Sequence, residues 1–183
     1  MSTPGARSGA FATDLKADGP AALTSQHLPT VLHFAALLTG ATFRVPPVQR
    51  SLDRLCRDGR RAMQIGIAQV GADKPLAGIG KAVGRFASDR GYTLIRNLAS
   101  HGVGRALHEE PGEVPTWPTQ DERRRINRGL VLTVEPFLSR GGLWATTGDD
   151  EWTLYSEPAA PVVQYEHTVV ATDRRPIILT LPG

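Results

Sequence analysis

An α+β fold, with helices covering one face of a curved antiparallel sheet, is predicted for this chain of 183 residues. Two observations predict it. Apolar residues recur with the helical period in two mid-chain stretches, and β-branched runs bounded by Gly, Pro or charged residues follow them. The length and a hydrophobic content of 40% allow one ordinary core, so we expect a single domain with a loose N-terminal tail.

The first forty residues are rich in Ala, Thr, Ser, Gly and Pro, and no helix or strand pattern precedes the apolar run Leu28–Leu38. That run is too short to span a membrane, and it lacks the basic region and cleavage pattern of a secretory signal. We therefore predict a poorly ordered segment over residues 1–40, a domain over residues 41–183, and no membrane association.

Two amphipathic helices are predicted in the middle of the chain. Pro75 stands where the second helix can begin, and Gly91 stands where it should end. Cys56 is the single cysteine, which excludes an internal disulfide, and its place on an apolar helix face predicts a buried thiol. The apolar positions that follow the helical period are Leu52, Leu55, Cys56, Ala62 and Met63, then Leu76, Ile79, Gly80, Val83, Phe86 and Ala87.

A predicted strand, Tyr92–Asn97, leads into the glycine-rich stretch His101–Pro111. This stretch sets His101 and His108 seven residues apart around a turn in which glycines let the backbone adopt close or left-handed conformations. Imidazole is the commonest protein ligand for a transition metal. An isolated histidine in a loop is more often an ordinary loop residue, so this stretch alone does not establish a metal site.

Two carboxylates further along the chain strengthen the prediction of a metal site. Glu135 lies in the strand-like run Gly129–Leu138, and Glu166 lies in the strand-like run Val162–Ala171. Burying a bare carboxylate costs several kcal/mol unless a cation or a metal compensates its charge. Each Glu is therefore predicted to have such a partner, whereas His167 should point to the opposite face of its strand and pack there or support the site.

Three motifs together resemble type I methionine aminopeptidases, of the pita-bread metallopeptidase family. They are His101–Pro111, with the sequence HGVGRALHEEP, the Glu-Pro pair at Glu135, and the Gln-Tyr-Glu-His run that contains Glu166. The resemblance runs from about Thr42 to Thr180. It implies an incomplete pita-bread fold, mainly the C-terminal half of the family's fold.

The resemblance also implies roles for these residues. His101, Glu135 and Glu166 would be metal ligands, with Glu166 bridging two ions, and His108 would be a catalytic residue that contacts the substrate. The alternative for His108 is an electrostatic contact with the adjacent Glu109-Glu110 pair, which is itself expected to be structural or solvated on an exposed turn. The metal would be a divalent ion such as Co, Mn, Fe or Zn, and the ligand types do not choose among these.

The activity implied is removal of the N-terminal methionine from nascent proteins and peptides by a metal-activated water. The implied partners are a peptide or nascent chain with an N-terminal Met and, through nascent chains, the vicinity of the ribosome, in the cytoplasm. Relatives that cleave Xaa-Pro bonds share the scaffold, but the motifs of this chain resemble the methionine-specific branch.

The chain departs from the family at two further ligands. A complete site there uses two Asp residues from a strand and the hairpin after it, and these positions fall near His27 and Leu38. The only Asp residues before Asp53 are Asp14 and Asp18, which are too close together and too far upstream. Because one missing ligand bridges the ions, one ion rather than two is the expectation for this chain.

Three alternatives to a working enzyme follow from that departure. The first is that residues upstream of about Thr39 are translated from a misassigned start or a shifted frame. The second is a paralogue that has lost the metal site and kept the scaffold for binding. The third is a partial protein with an uncovered apolar sheet edge or face.

The charge distribution adds one prediction and one exclusion. Arg123–Arg125 is interpreted as part of a solvated helix face. The net charge of +3 comes from scattered arginines, and only 6% of residues are aromatic, so the sustained basic and aromatic surface of a nucleic-acid-binding protein is missing. We therefore expect no specific binding of nucleic acid.

Overall fold

A computed structural model of the chain describes residues 37–43 and 49–181. The predicted α+β class is confirmed. Two helices, α1 (Arg50–Ile67) and α2 (Ala77–Asp89), accompany eleven short strands in the described part. The strands are β1 (Thr39–Gly40), β2 (Thr93–Leu94), β3 (Ser100–Gly102), β4 (Glu109–Val114), β5 (Val131–Val134), β6 (Phe137–Ser139), β7 (Trp144–Thr147), β8 (Leu154–Glu157), β9 (Val162–Gln164), β10 (Glu166–Val170) and β11 (Ile177–Ile178).

The main sheet is antiparallel, in the order β1-β10-β5-β3-β4, and β11 also pairs with β10. Strands β2, β6 and β9 form a second sheet, and β7 and β8 form a hairpin. The pairing of β10 with β5 sets His167 opposite Val134. One residue further along this register, Glu166 stands opposite Glu135, so the sheet brings together two carboxylates that are distant in sequence.

Both predicted helices are present, and their apolar faces form the core against the sheets. The longer helix, α1, contacts α2 and strands of both sheets. The second helix begins two residues after Pro75 and ends just before Gly91, which has the positive φ of 71° typical of a helix C-terminus. Cys56 is buried, as predicted. The most deeply buried residues of the two helices are Leu55, Ala62, Ile79, Val83 and Ala87.

Two predicted strands are shorter or interrupted. The run Gly129–Leu138 is split into β5 and β6 by Glu135 and Pro136, because proline has no N–H to donate to a strand ladder. Glu135 therefore lies just beyond the end of β5 and not inside a strand. The run Val162–Ala171 is likewise divided at Tyr165.

Three local predictions of element type were wrong, and a further predicted strand is shorter than expected. His101 lies in β3 and not in a loop, and Glu109 with Glu110 begins β4, which pairs with β3. Of the predicted strand Tyr92–Asn97, only β2 forms. The predicted helix face around Arg123–Arg125 is an extended segment, because its backbone bonds to residues 74 and 76: the Ile126 N–H donates to the Lys74 carbonyl (2.9 Å) and the Leu76 N–H to the Arg124 carbonyl (2.9 Å).

The predicted N-terminal tail lies mostly outside the described residues, and so does the apolar run before Leu37. The part that is described, β1, pairs with β10 at Thr39↔His167 and Gly40↔Glu166. The domain boundary at residue 40 stays a prediction. Across the described residues, no helix is both long enough and apolar enough to cross a membrane.

Candidate metal centre

The three predicted metal ligands lie on three neighbouring strands of the main sheet. His101 is in β3, Glu135 follows β5 and Glu166 begins β10, in the sheet order β10-β5-β3. All three side chains are largely buried: His101 and Glu166 are 5% and 7% exposed, and the Glu135 side chain is 12% exposed. Strand pairing brings together residues that no single helix or loop could.

His101 has a defined tautomer. Its Nδ1 atom lies 2.8 Å from the carbonyl oxygen of Gly102. A carbonyl can only accept a hydrogen bond, so Nδ1 carries the proton and Nε2 keeps a free lone pair. Burial lowers the pKa of the imidazole, which therefore favours the neutral form that binds metals. Nε2 lies 3.6 Å from Oε1 of Glu135.

Glu135 is held from several directions but meets no cationic side chain in the described part of the chain. The Thr133 hydroxyl donates to Oε1 (2.9 Å), and the Gln164 amide is 3.4 Å from Oε2. The Glu135 N–H donates to the Ser100 hydroxyl (2.9 Å). Burial raises the pKa of the Glu135 carboxyl group to about 8, and repulsion from the Glu166 carboxylate adds to the rise.

Glu166 has one oxygen with a partner and one without. The Gln164 amide donates to Oε2 (3.2 Å), whereas Oε1 is buried and has no hydrogen-bond partner among the described residues. Burial raises the pKa of this carboxyl group to about 7. A buried acceptor left without a partner costs about 1–3 kcal/mol, and more when it is charged. Among the described residues, the hydrogen-bond donors to Glu135 and Glu166 are neutral groups, so no cationic side chain compensates the charge of the two carboxylates.

The side chains around this pair suit a divalent cation. One imidazole lone pair and two carboxylates are donors that first-row transition metals accept. His101 Nε2 and Glu135 Oε1 are 3.6 Å apart, so both atoms would be near enough to one another to hold a common ion. The unpartnered Oε1 of Glu166 is the third donor.

These donors are not gathered into a ready three-ligand cluster. Within the described ranges, no group of three or more His, Cys, Asp or Glu side chains is close enough to hold an ion. The amide of Gln164 lies between the two carboxylates and donates to both. Gln164 belongs to the Gln-Tyr-Glu-His motif, but no role in the site was predicted for it. The period of two along a strand, which places it on the same side as Glu166, is the pattern that could have found it.

His108 lies beside His101 at the solvent-facing side of the site. The two rings are 3.9 Å apart between centroids, with 36° between their planes, and His108 is exposed. The neighbouring Glu109 carboxylate accepts a hydrogen bond from the Ala106 N–H (2.8 Å).

A Cβ on Gly102 would lie 2.4 Å from the Glu110 carbonyl oxygen, so the close approach of β3 and β4 requires glycine there.

His167 lies away from the centre and is half-buried. Its Nδ1 atom is 2.8 Å from the Thr180 hydroxyl, and burial lowers the pKa of its imidazole. It is opposite Thr39 and Val134 in the strand register and not beside the carboxylates. This placement agrees with the packing role expected from strand alternation.

Strand β1 borders Glu166 on the side opposite β5. Gly40 stands opposite Glu166, and a Cβ there would lie 3.2 Å from Glu166 Oε2. Leu38 is two residues earlier, so alternation places it on the same face as Gly40, and its backbone N–H and carbonyl both bond to the Thr168 hydroxyl (2.8 Å each). Leu38, near which the resemblance implies an Asp, thus lies on the same face of the sheet as Glu166. His27 lies outside the described residues.

Comparison with known proteins agrees with this geometry. The pattern of metallopeptidase family M24 matches residues 36–173. Methionine aminopeptidase 2 of Bacillus subtilis is 35% identical over 142 residues, which are 78% of this chain and 57% of the relative. The crystal structure of a methionine aminopeptidase from Thermotoga maritima superposes with a TM-score of 0.76 at 25% identity, over 81% of this chain and 59% of that one.

A more distant structure, an Xaa-Pro dipeptidase from Bacillus anthracis, shares the fold with a TM-score of 0.58 at 17% identity, over 79% of this chain and 35% of that one. The chain belongs to metallopeptidase family M24, and this membership implies dependence on a divalent metal. Within that family, the more similar relatives are methionine aminopeptidases. The chain spans a little over half their length, and its described part is a partial pita-bread fold.

Proposed function

We propose that this chain is a methionyl aminopeptidase that removes the N-terminal methionine from peptides and nascent proteins. The observation that carries the proposal is the uncompensated carboxylate pair. Glu135 and Glu166 are buried together without a cationic partner in the described part of the chain, beside a His101 lone pair that faces them. Perturbed carboxyl groups that are held together in this way are typical of functional sites.

His101, Glu135 and Glu166 would hold the ion, and Co, Mn, Fe and Zn all suit these donors. A bound divalent ion supplies a water of lowered pKa and polarises the scissile carbonyl. Because Leu38 brings no carboxylate to the centre, we propose one ion of high occupancy and at most a weak second one. The Gly102 carbonyl and the Thr133 hydroxyl keep His101 and Glu135 in place without taking the metal-binding lone pairs.

His108 is proposed to contact the substrate. Its ring is exposed, and it packs against the ring of the buried His101, so it lies between solvent and the centre. From this position an imidazole can donate a hydrogen bond to the carbonyl oxygen of a peptide bond and stabilise negative charge that develops there. Substrates that are nascent chains would place the protein in the cytoplasm and near the ribosome.

The test is a calorimetric titration of the purified chain with Mn²⁺ or Co²⁺, beside an assay of methionine release from the peptide Met-Ala-Ser. We expect saturable binding near one ion per chain and release of methionine that EDTA abolishes. The variant Glu166→Ala should lose both. Metal binding without methionine release would contradict the aminopeptidase proposal, and absence of metal binding would contradict the metal centre itself.

A second candidate function, a binding scaffold that lacks activity, is favoured by a specific observation. Leu38 stands near the position of a proposed ligand, and the Gln164 amide donates to both carboxylates. Such a scaffold should bind peptides with an N-terminal Met equally well with EDTA and with Mn²⁺, and should release no methionine. Peptide titrations under both conditions distinguish it from the enzyme.

A further inference from the structure

Strands β3 and β5 meet at the candidate metal centre through two side-chain hydroxyls. Their backbone register pairs Gly102 with Leu132. Towards the centre, the His101 N–H donates to the Thr133 hydroxyl (3.0 Å), and the Glu135 N–H donates to the Ser100 hydroxyl (2.9 Å). Both hydroxyl residues are fully buried. The backbone N–H groups of the proposed ligands His101 and Glu135 thus each donate to a hydroxyl on the other strand.

The Thr133 hydroxyl contacts both proposed ligands at once. It accepts from the His101 backbone, and it has a single proton to donate. The Glu135 Oε1 atom is 2.9 Å away and the His101 carbonyl is 3.5 Å away, so the proton goes to the carboxylate. One oxygen atom therefore links the backbone of His101 to the carboxylate of Glu135, across two strands.

We propose that Thr133 is a positioning residue that sets the separation between the His101 imidazole and the Glu135 carboxylate. The inference rests on the proposed function, because it assumes that this centre binds a divalent ion. Threonine suits the task because its branched β-carbon restricts χ1, which fixes the direction of the hydroxyl in a buried strand. Its bond to Oε1 leaves that oxygen a further lone pair for an ion.

The variant that isolates this role is Thr133→Val, which keeps the shape of the side chain and removes the hydroxyl. Without the hydroxyl, His101 and Glu135 lose their common contact. Outer-shell partners of metal ligands contribute about 10–100-fold to metal affinity. We expect Thr133→Val to weaken Mn²⁺ binding by about tenfold or more, and Thr133→Ser, which keeps the hydroxyl, to stay within about threefold of the original chain.

A matched control is Thr116→Val. Thr116 is also fully buried, and its hydroxyl has no hydrogen-bond partner in the described part of the chain. Thr116→Val therefore makes the same chemical change at a residue whose hydroxyl is not hydrogen-bonded to the proposed ligands. Its Mn²⁺ affinity should equal that of the original chain. If Thr133→Val does not fold, Thr133→Ala is the replacement, and the expected loss of affinity is the same.

Calorimetry gives the Mn²⁺ affinity of each variant, the absorption spectrum of bound Co²⁺ reports the ligand geometry, and thermal unfolding in EDTA reports stability alone. The proposal expects weaker Mn²⁺ binding and an altered Co²⁺ spectrum for Thr133→Val. A lower unfolding temperature with unchanged affinity and spectrum would show a purely structural role and overturn it. Failure of the original chain to bind Mn²⁺ would overturn the proposed function, and this inference with it.

Discussion

Two buried carboxylate sites on opposite layers of the molecule are neutralised differently. On the helical side, Asp58 of α1 accepts hydrogen bonds from Arg90 Nη1 (3.1 Å) and from the Tyr92 hydroxyl (3.0 Å). In the sheet, Glu135 and Glu166 share one amide donor, and one buried oxygen has no partner among the residues that the structure describes. A cation thus contacts Asp58, whereas no Lys or Arg of the described residues contacts the Glu135–Glu166 pair.

This difference is the one expected if the Glu135–Glu166 pair, and not Asp58, belongs to the functional site. Asp58 ties α1 to the segment after α2, and its partners are enough for a structural role. Burial raises the pKa of the Glu135 and Glu166 carboxyl groups, and this effect is larger than that of the hydrogen bonds from Thr133 and Gln164, which lower the pKa. A protein retains such a site when a bound group compensates it.

The largest effect expected is on metal binding in Glu166→Gln. The change removes one proposed ligand charge, so the loss of Mn²⁺ affinity should exceed the roughly 100-fold lost when outer-shell partners are removed. Calorimetry measures this. The control is Glu157→Gln on the exposed strand β8, which should bind Mn²⁺ normally. If Glu166→Gln binds Mn²⁺ normally, Glu135 and Glu166 do not form a metal site, and in this respect they do not differ from Asp58.

The second prediction concerns the dependence of folding stability on pH without metal. The pKa of Glu135 rises on folding from 4.5 to about 8, so in that range the folded state binds more protons than the unfolded state. Stability must therefore fall as pH rises, by at most roughly 1.4 kcal/mol per pH unit for each such group. The measurement is urea unfolding in EDTA between pH 5 and pH 8.

In Glu135→Gln this slope should become shallower, because the substituted side chain does not ionise. In Asp58→Asn the slope should persist. Addition of saturating Mn²⁺ should oppose the loss of stability at pH 8, because the ion binds only the folded, deprotonated site. A flat profile in EDTA for the unsubstituted chain would show that the two carboxylate sites do not differ in the way proposed.

The third prediction restores a carboxylate at the site-facing position of β1. Leu38→Asp should tighten Mn²⁺ binding by about tenfold, which corresponds to about 1.4 kcal/mol. Its backbone bonds to Thr168 do not depend on the side chain. Leu37→Asp is the matched control, since it is exposed and alternation directs it to the other face. Equal affinity in both variants would refute the placement of Leu38 beside the centre.

The smallest effect is expected at Asp58, whose carboxylate is contacted by Arg90 and Tyr92. Asp58→Asn removes the charge that Arg90 contacts, and the Arg90 side chain is 51% exposed, so water compensates part of the loss. We expect a loss of about 1 kcal/mol in the free energy of unfolding. Mn²⁺ affinity should not change. Urea unfolding and calorimetry on the same sample check both, and a reduced metal affinity would show that the two sites are coupled.

The sequence supported prediction of the two helices, of the strand that contains Glu166 and of the strand that ends just before Glu135, because helical and strand periodicity are local. The prediction of one strand over Gly129–Leu138 was wrong, and the sequence could have corrected it, because Pro136 indicates that the strand ends near Glu135. The segment Arg123–Arg125 was beyond local prediction. Its backbone hydrogen bonds go to residues 74 and 76, and that choice depends on packing of distant segments.

Residue type and periodicity are properties of the chain, so the amino-acid sequence specifies the available chemical groups and the faces that the helices bury. How those groups meet depends on the folded sheet. The pairing of β10 with β5 places Glu166 opposite Glu135, and the Gln164 amide lies between the two carboxylates. The Nε2 atom of His101 lies 3.6 Å from Glu135. The physical reason is that burial and hydrogen-bond pairing belong to the assembled sheet, where each donor satisfies whichever acceptor packing brings within reach.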